Sequence, residues 1–114
     1  LRLDPRGPAR CAFWTTMGFA RLILRELDEA IGCFSRARVA NPKLPRAHVG
    51  AAISFALSGE GAAAQAAAGE LLALVPGYRL SQSMDGVTPR SPERYRRYYE
   101  EVLRPGAVAA GVPL

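Results

Sequence analysis

Apolar positions in this chain recur at three- and four-residue steps over most of its length, the spacing of one buried helical face. In the first such stretch, about Ala12 to Arg25, the stripe is Phe13, Trp14, Met17, Ala20, Ile23 and Leu24. The second, about Asp28 to Ala40, carries Ala30, Ile31, Phe34, Ala37 and Val39. Its opening Asp28-Glu29 suits the positive end of a helix dipole. Pro42 closes it, because proline disfavours helix at the preceding Asn41. A third helix is expected from Pro45, a residue tolerated in a first turn, with Ala47, Val49, Ala52, Ile53, Ala56 and Leu57 as its apolar face. Gly59-Glu60-Gly61 then breaks the chain. The fourth helix, about Ala62 to Leu74, is Ala-rich and ends before Pro76-Gly77. Residues 77–90 contain Ser, Gly and Pro and read as a linker. Ser91-Pro92-Glu93 opens a fifth helix, with Ser as N-cap, Pro in the first helical position and Glu in the first turn. It runs to Arg104, where Pro105-Gly106 is expected to end it.

The order is therefore helix, tight turn, helix, proline, repeated once, and Pro42 and Pro76 are 34 residues apart. That period resembles the tetratricopeptide (TPR) repeat. In the first copy Trp14, Met17 and Gly18 fall in the family's Trp–Leu–Gly slots, with Met in place of Leu. Leu27, Glu29 and Ala30 fall where the family has an aromatic followed by Glu-Ala, and Phe34, Ala37 and Pro42 complete the pattern. Arg21 stands where Tyr is usual. The second copy is degenerate: His48 takes the Trp slot, Ala51 and Ala52 the Leu-Gly slots, Phe55 the aromatic slot, and Ala68 stands where Phe is expected. Leu71 stands where Ala is usual, and Pro76 closes the copy. The resemblance covers about residues 11–77. It implies an all-α fold: TPR-type hairpins at 12–40 and 45–75 stacked as an α-α superhelix, a linker at 77–90, and a C-terminal capping helix at 92–104. Gly18 and Ala30 are small in this scheme because the helices cross closely there, and Phe34 fills the space between hairpins.

A second, narrower resemblance spans nearly the whole chain. LRLDPRGPA, a TPR pair, LVPGYRLSQ and PRSPERYRRYYEEVLRPGAVAAGVPL together look like the C-terminal tail of multidomain bacterial proteins with an N-terminal class III adenylate/guanylate cyclase domain, or sometimes a winged-helix domain. Ser91-Pro92-Glu93, Tyr95, Tyr98, Leu103 and Ala110-Gly111-Val112-Pro113 carry that likeness, while Gly86-Val87-Thr88 replaces the usual Leu-Pro-Phe. A cyclase needs paired Asp residues for two metals, and no such pair stands here. On this reading the chain, which starts at Leu1, is a piece of something longer, and Leu1–Ala9 is the tail of a preceding helical unit plus a linker.

Composition narrows the picture further. An apolar fraction of 49% and a charged fraction of 22% are those of a folded globular protein. No apolar run approaches the ~18 residues of a membrane span, and no charged segment leads into an apolar signal region. Cys11 and Cys33 have no metal-type spacing and read as reduced thiols packed as small apolar groups, which implies a cytoplasmic setting. The net charge is +5, and only Lys43 of the 15 basic residues is Lys, a bias that suggests a GC-rich bacterial gene.

Candidate chemistry is sparse. His48 is the only His and sits on an apolar helix face without metal-ligating neighbours, so it reads as a packing residue. Ser81 and Ser83 lack a nucleophile elbow. Gly59-Glu60-Gly61 is no phosphate loop, because no Gly-Lys-Ser/Thr follows. No cofactor, metal or catalytic residue is assigned. The Arg- and Tyr-rich segment YRRYYEEVLR could suggest nucleic acid, but Glu93–Arg97, Arg96–Glu100, Arg97–Glu101 and Glu100–Arg104 are all i,i+4 pairs that answer the charge locally. Its tyrosines fit a capping helix better.

The remaining candidate is a groove. In TPR stacks the first helix of each hairpin lines the concave surface, and by resemblance Ala12, Thr15, Phe19, Leu22, Arg46, Val49 and Ile53 would face it. Only Arg46 is positive, so the carboxylate clamp of peptide-binding TPR domains is missing. An apolar groove suits an amphipathic helix from a partner, from a second copy of the protein or from its own chain. The competing possibility is that the cap folds over and buries these positions. Two hairpins fall below the usual minimum of about three repeats, so self-association, or marginal stability without the parent chain, is also expected. The function implied is a protein-interaction or regulatory module, with a segment of a nucleic-acid-associated transcription regulator as the alternative.

Overall fold

A computed structural model describes residues 8–114 of the chain. Among these residues the secondary structure is helical, with no strand. Helix α1 spans Pro8–Ile23, α2 Leu27–Ala40, α3 Pro45–Leu57 and α4 Gly61–Leu74. The α1–α2 and α3–α4 pairs are antiparallel hairpins. α2 and α4 are both 14 residues long and begin 34 residues apart, so the period of the prolines is also the period of the helices.

The two hairpin turns share one device. After α1, Arg25 adopts φ 61°, and Glu26 N–H reaches back to Arg21 O at 2.9 Å. After α3, Gly59 adopts φ 80°, and Glu60 N–H reaches back to Phe55 O at 2.9 Å. A left-handed residue with a six-residue return bond ends a helix sharply. Glycine adopts that conformation freely. Arg25 adopts it against its Cβ, braced by Arg25 Nη1 donating to Ile23 O at 2.9 Å.

Phe34 holds the hairpins together. Its ring is fully buried and packs edge-on against Phe19 at 4.9 Å. It lies between the bare backbones of Gly18 on α1 and Gly50 on α3. A Cβ at Gly18 would meet the ring at 2.7 Å, and one at Gly50 would come closer still. Gly18 is therefore small to admit the Phe34 ring. In the second hairpin that role falls to Gly50, one residue before the Ala51-Ala52 pair assigned to it from sequence. A polar contact crosses the same junction: Arg38 Nη2 of α2 donates to Glu70 Oε2 of α4 at 2.8 Å, which holds the Glu70 carboxyl below the usual carboxylate range.

The C-terminal segment departs from expectation. The linker is not featureless: Leu80–Gln82 form a 3₁₀ turn, and Leu80 and Ser81 donate their N–H groups to Pro113 O and Leu114 O at 2.9 and 3.0 Å. Ser91 does not cap the next helix. Its Oγ accepts the Thr88 N–H at 3.0 Å and closes the loop before Pro92. Helix α5 spans Glu93–Tyr98, a π-helical turn follows over Tyr99–Leu103, and α6 spans Arg104–Ala110. Pro105-Gly106 thus does not end the helix. A proline inside an α-helix clashes with the carbonyl four residues back. Here the π turn, in which Arg104 N–H bonds to Tyr99 O, widens the ladder just before Pro105 and leaves it in a first turn. Glu93–Arg97 and Glu100–Arg104 pair at 3.7 and 3.2 Å. Arg96–Glu100 and Arg97–Glu101 are not among the ion pairs of the described residues, and Glu101 instead meets Arg25 at 3.2 Å. Of Leu1–Ala9, residues 1–7 lie outside the described residues, and Pro8 and Ala9 form the start of α1.

Candidate functional site

The groove expected along α1 and α3 is covered: the chain's own C-terminal segment packs against α3 and reaches the end of α1 through Arg25. Of the seven groove residues, Thr15, Phe19, Leu22, Val49 and Ile53 are buried, Arg46 is partly buried and Ala12 is exposed. Phe19, Leu22, Val49 and Ile53 belong to one apolar cluster with Leu80, Tyr98, Tyr99, Leu103, Ala107 and Val112. Thr15 satisfies its hydroxyl within its own helix, donating to Cys11 O at 2.9 Å. Five of the seven positions are therefore closed to a partner in this conformation, and only Ala12 is exposed.

Close approach explains how α6 fits. Gly106 lies so near α3 that a Cβ there would stand 2.6 Å from Ile53 Cγ2 and 3.2 Å from Ile53 O. The second of these is backbone and cannot rotate away. Ala107 and Ala110 continue the same small-faced contact and are buried.

A polar latch sits at the other end of the trough. Arg46 forks onto Asp85 in the linker, Nε to Oδ2 at 3.1 Å and Nη2 to Oδ1 at 3.0 Å. Two parallel bonds fix angle as well as distance. The Arg46 guanidinium also lies 4.3 Å from the Phe19 ring centroid. Asp85 is buried; its N–H donates to Ser83 Oγ at 3.2 Å and its carbonyl accepts Tyr95 Oη at 2.7 Å. Arg25 faces the Tyr98 ring at 5.9 Å. The single positive residue of the groove thus does hold a carboxylate, one supplied by the same chain. Asp85 was missed from sequence, although it is the only acid in residues 77–90.

All four tyrosines lie in this segment. Burial pushes each phenol up, Tyr95 to about 12 with help from the nearby Asp85 charge, and Tyr98 strongly, with Tyr95 and Asp85 adding to the effect of burial. The fold therefore holds the neutral phenols. Up to about pH 10, the ordinary tyrosine value, neither state ionises and nothing is lost. Above it the unfolded chain releases protons first, so stability falls as pH rises from about 10 through about 12. Tyrosinate absorbance is expected to appear late and together with loss of helical circular dichroism. A smooth titration at the ordinary value with the helix content intact would contradict the burial of these side chains.

His48 lies in the junction between hairpins. It is buried, with Nε2 donating to Pro42 O at 2.5 Å and Nδ1 3.2 Å from Glu70 Oε2 without hydrogen-bond alignment. Ser81 and Ser83 bond to backbone carbonyls, those of Leu114 and Leu80. Asp28 and Glu29 sit in the first turn of α2. Cys11 and Cys33 are free and buried, and burial pushes the Cys33 thiol up. Among the described residues no group of three or more His, Cys, Asp and Glu could hold a metal ion, and no helix is long and apolar enough to cross a membrane.

Comparison with protein-family models, curated proteins and solved structures found no match.

Proposed function

We propose that this domain is a helical protein-interaction module of the tetratricopeptide kind, cytoplasmic and without chemistry of its own, serving as the C-terminal regulatory segment of a bacterial multidomain signalling protein such as a nucleotide cyclase. The observation that carries the reading is the occupied trough. A surface built by two hairpins with a 34-residue offset receives a helix with a small apolar face, and its one cation takes a carboxylate. A surface able to do this for its own chain has the chemistry to do it for an amphipathic helix of a partner. The trough then has two states, filled from within or filled by that partner.

The test supplies the helix from outside. A fluorescent peptide copying residues 91–114 is titrated onto the full chain carrying Gly106→Val, whose own α6 no longer fits, and onto the unaltered chain. The peptide retains Gly106. Saturable binding to the variant and none to the unaltered chain is expected, with little dependence on salt. Absence of binding to a variant whose hairpins remain helical removes the support for an interaction module. A duplex DNA probe run beside it checks the alternative reading, a nucleic-acid-associated segment, whose affinity would fall steeply with salt.

A further inference from the structure

Four of the seven large hydrophobic side chains exposed among the described residues belong to the first hairpin and its turn. Three of them, Phe13, Leu24 and Val39, are 45%, 61% and 83% exposed. Phe13 and Leu24 are eleven residues apart, three helical turns, and so share a face of α1. Leu24 lies just past the end of α1 but still donates its N–H to Ala20 O at 3.2 Å, so it follows the helical winding. On the α1–α2 seam, two adjoining hollows of about 620 and 380 Å³ share Trp14 and Arg36 in their walls, and no residue of α3 to α6 lines either. Among the described residues, hairpin 2 and the C-terminal segment leave these two hollows uncovered, and hairpin 2 reaches only the Val39 edge, through His48 and Glu70.

The charges on this face that have no partner within the described residues are segregated. At one end Arg36 and Arg10 lie 4.7 and 5.5 Å from the Trp14 ring, with Val39 beside them in the same hollow. At the other end Asp28 and Glu29 are exposed, and the two arginines there, Arg21 and Arg25, are taken up by Glu26 and Glu101. Among the described residues Arg36, Asp28 and Glu29 make no ion pair within the chain. We infer that this face is a two-fold interface with a second copy of the chain, in which the basic, aromatic end of one copy meets the acidic, leucine end of the other.

Geometry favours a second copy over an unrelated acidic segment. The face carries both halves of the complement. An isologous contact pairs residue i with j and j with i about one axis, so both pairs must share a midpoint. Arg36 and Asp28-Glu29 have their midpoint at Gly32 on α2, while Phe13 and Leu24 have theirs at Gly18–Phe19 on α1. In this antiparallel hairpin, where Trp14 faces Arg36 and Met17 faces Gly32–Cys33, those two levels coincide. One axis at the centre of the seam therefore brings both ends together at once. Gly32 is exposed there, and a Cβ on it would meet nothing within the chain, so its bare backbone allows close approach of the two copies. The face is about 24 Å long, from 16 residues of α1. Two helices of that length bury an area at the low end for specific interfaces, which implies a reversible dimer.

The test is a charge swap read by sedimentation velocity. The unaltered full chain is expected to show a concentration-dependent monomer–dimer equilibrium with a dissociation constant on the order of tens of micromolar. Arg36→Glu alone, and the double change D28R/E29R alone, should each weaken the dimer about tenfold or more, with only a small drop in monomer stability from the lost Arg36–Trp14 stack or from reversed charge at the N-terminus of α2. Mixed one to one, the two variants should regain a dimer, because each then meets the opposite charge at both contacts. A chain monomeric at every concentration overturns the proposal. So does a dimer indifferent to both reversals, or variants that weaken association but do not rescue each other. None of these outcomes bears on whether the trough binds a helix.

Discussion

Phe34→Ala lowers the stability of the fold by about 3–5 kcal/mol, the cost of emptying a fully buried aromatic site that its surroundings cannot close. The site cannot close because its walls are main chain. Gly18 and Gly50 present bare backbone to the ring on α1 and α3, and Phe19 meets it edge-on. Removing the ring leaves the hairpins with a void between them at the centre of their contact. The glycines sharpen the prediction. Gly→Ala inside a helix ordinarily stabilises by about 1 kcal/mol. At Gly50 the new methyl would collide with the Phe34 ring, so Gly50→Ala alone is destabilising. In the Phe34→Ala background the same methyl enters the vacated space, and Gly50→Ala becomes stabilising. Urea unfolding of the four proteins measures this reversal as a coupling energy. A Phe34→Ala cost under about 1 kcal/mol, or a Gly50 effect of the same sign in both backgrounds, means the ring is not the wedge between hairpins.

Gly106→Val is the second large effect, about 3 kcal/mol, at the upper end of overpacking costs. The nearest neighbours of the added carbon include the carbonyl oxygen of Ile53, and backbone in the middle of α3 does not move aside as a long side chain would. The cost is bounded, because α6 can leave while the hairpins persist. The loss is therefore local. Amide exchange should accelerate across residues 93–110 and at Leu80 and Ser81, whose N–H groups are tied to Pro113 and Leu114. Protection within α2 and α3 near Phe34 should be retained at a lower level. Uniform loss of protection along the chain would instead make the C-terminal segment an integral part of one cooperative unit.

The sequence reveals the hairpins because their ends are written in residues with few conformational options. Pro42 and Pro76 stop helices, Pro45 starts one and Gly59 marks a turn, whereas the matching turn at Arg25, inside the first helix as read from sequence, appears only in the fold. The apolar stripe of α3 is legible for the same reason. That of α1 is not: none of Phe13, Trp14, Met17, Ala20, Ile23 and Leu24 is buried, and the inward face carries Cys11, Thr15, Gly18, Phe19 and Leu22 instead. What fills the trough is not legible. Pro105-Gly106 has the composition of a helix stop, and only the π turn before it and the proximity of Ile53 convert it into a helix start and a contact point. Asp85 is an acid in a Ser- and Gly-containing loop, where sequence alone predicts solvent. Its burial depends on Arg46, 39 residues away. Gly50 rather than Ala51-Ala52 faces Phe34 because the register of α3 is set by the ring of another helix. In each case the missing information is which distant residue arrives, and local propensity does not carry it.

The account rests on the chain's own C-terminal helix lying in the trough against α3. The most direct measurement is the nuclear Overhauser contact between the Gly106 α-protons and the Ile53 methyls in the full chain. A strong contact is predicted, accompanied by one from the Tyr95 ring to residues flanking Asp85. Absence of both, with residues 93–110 showing unfolded chemical shifts, would contradict the occupied trough and the function proposed from it.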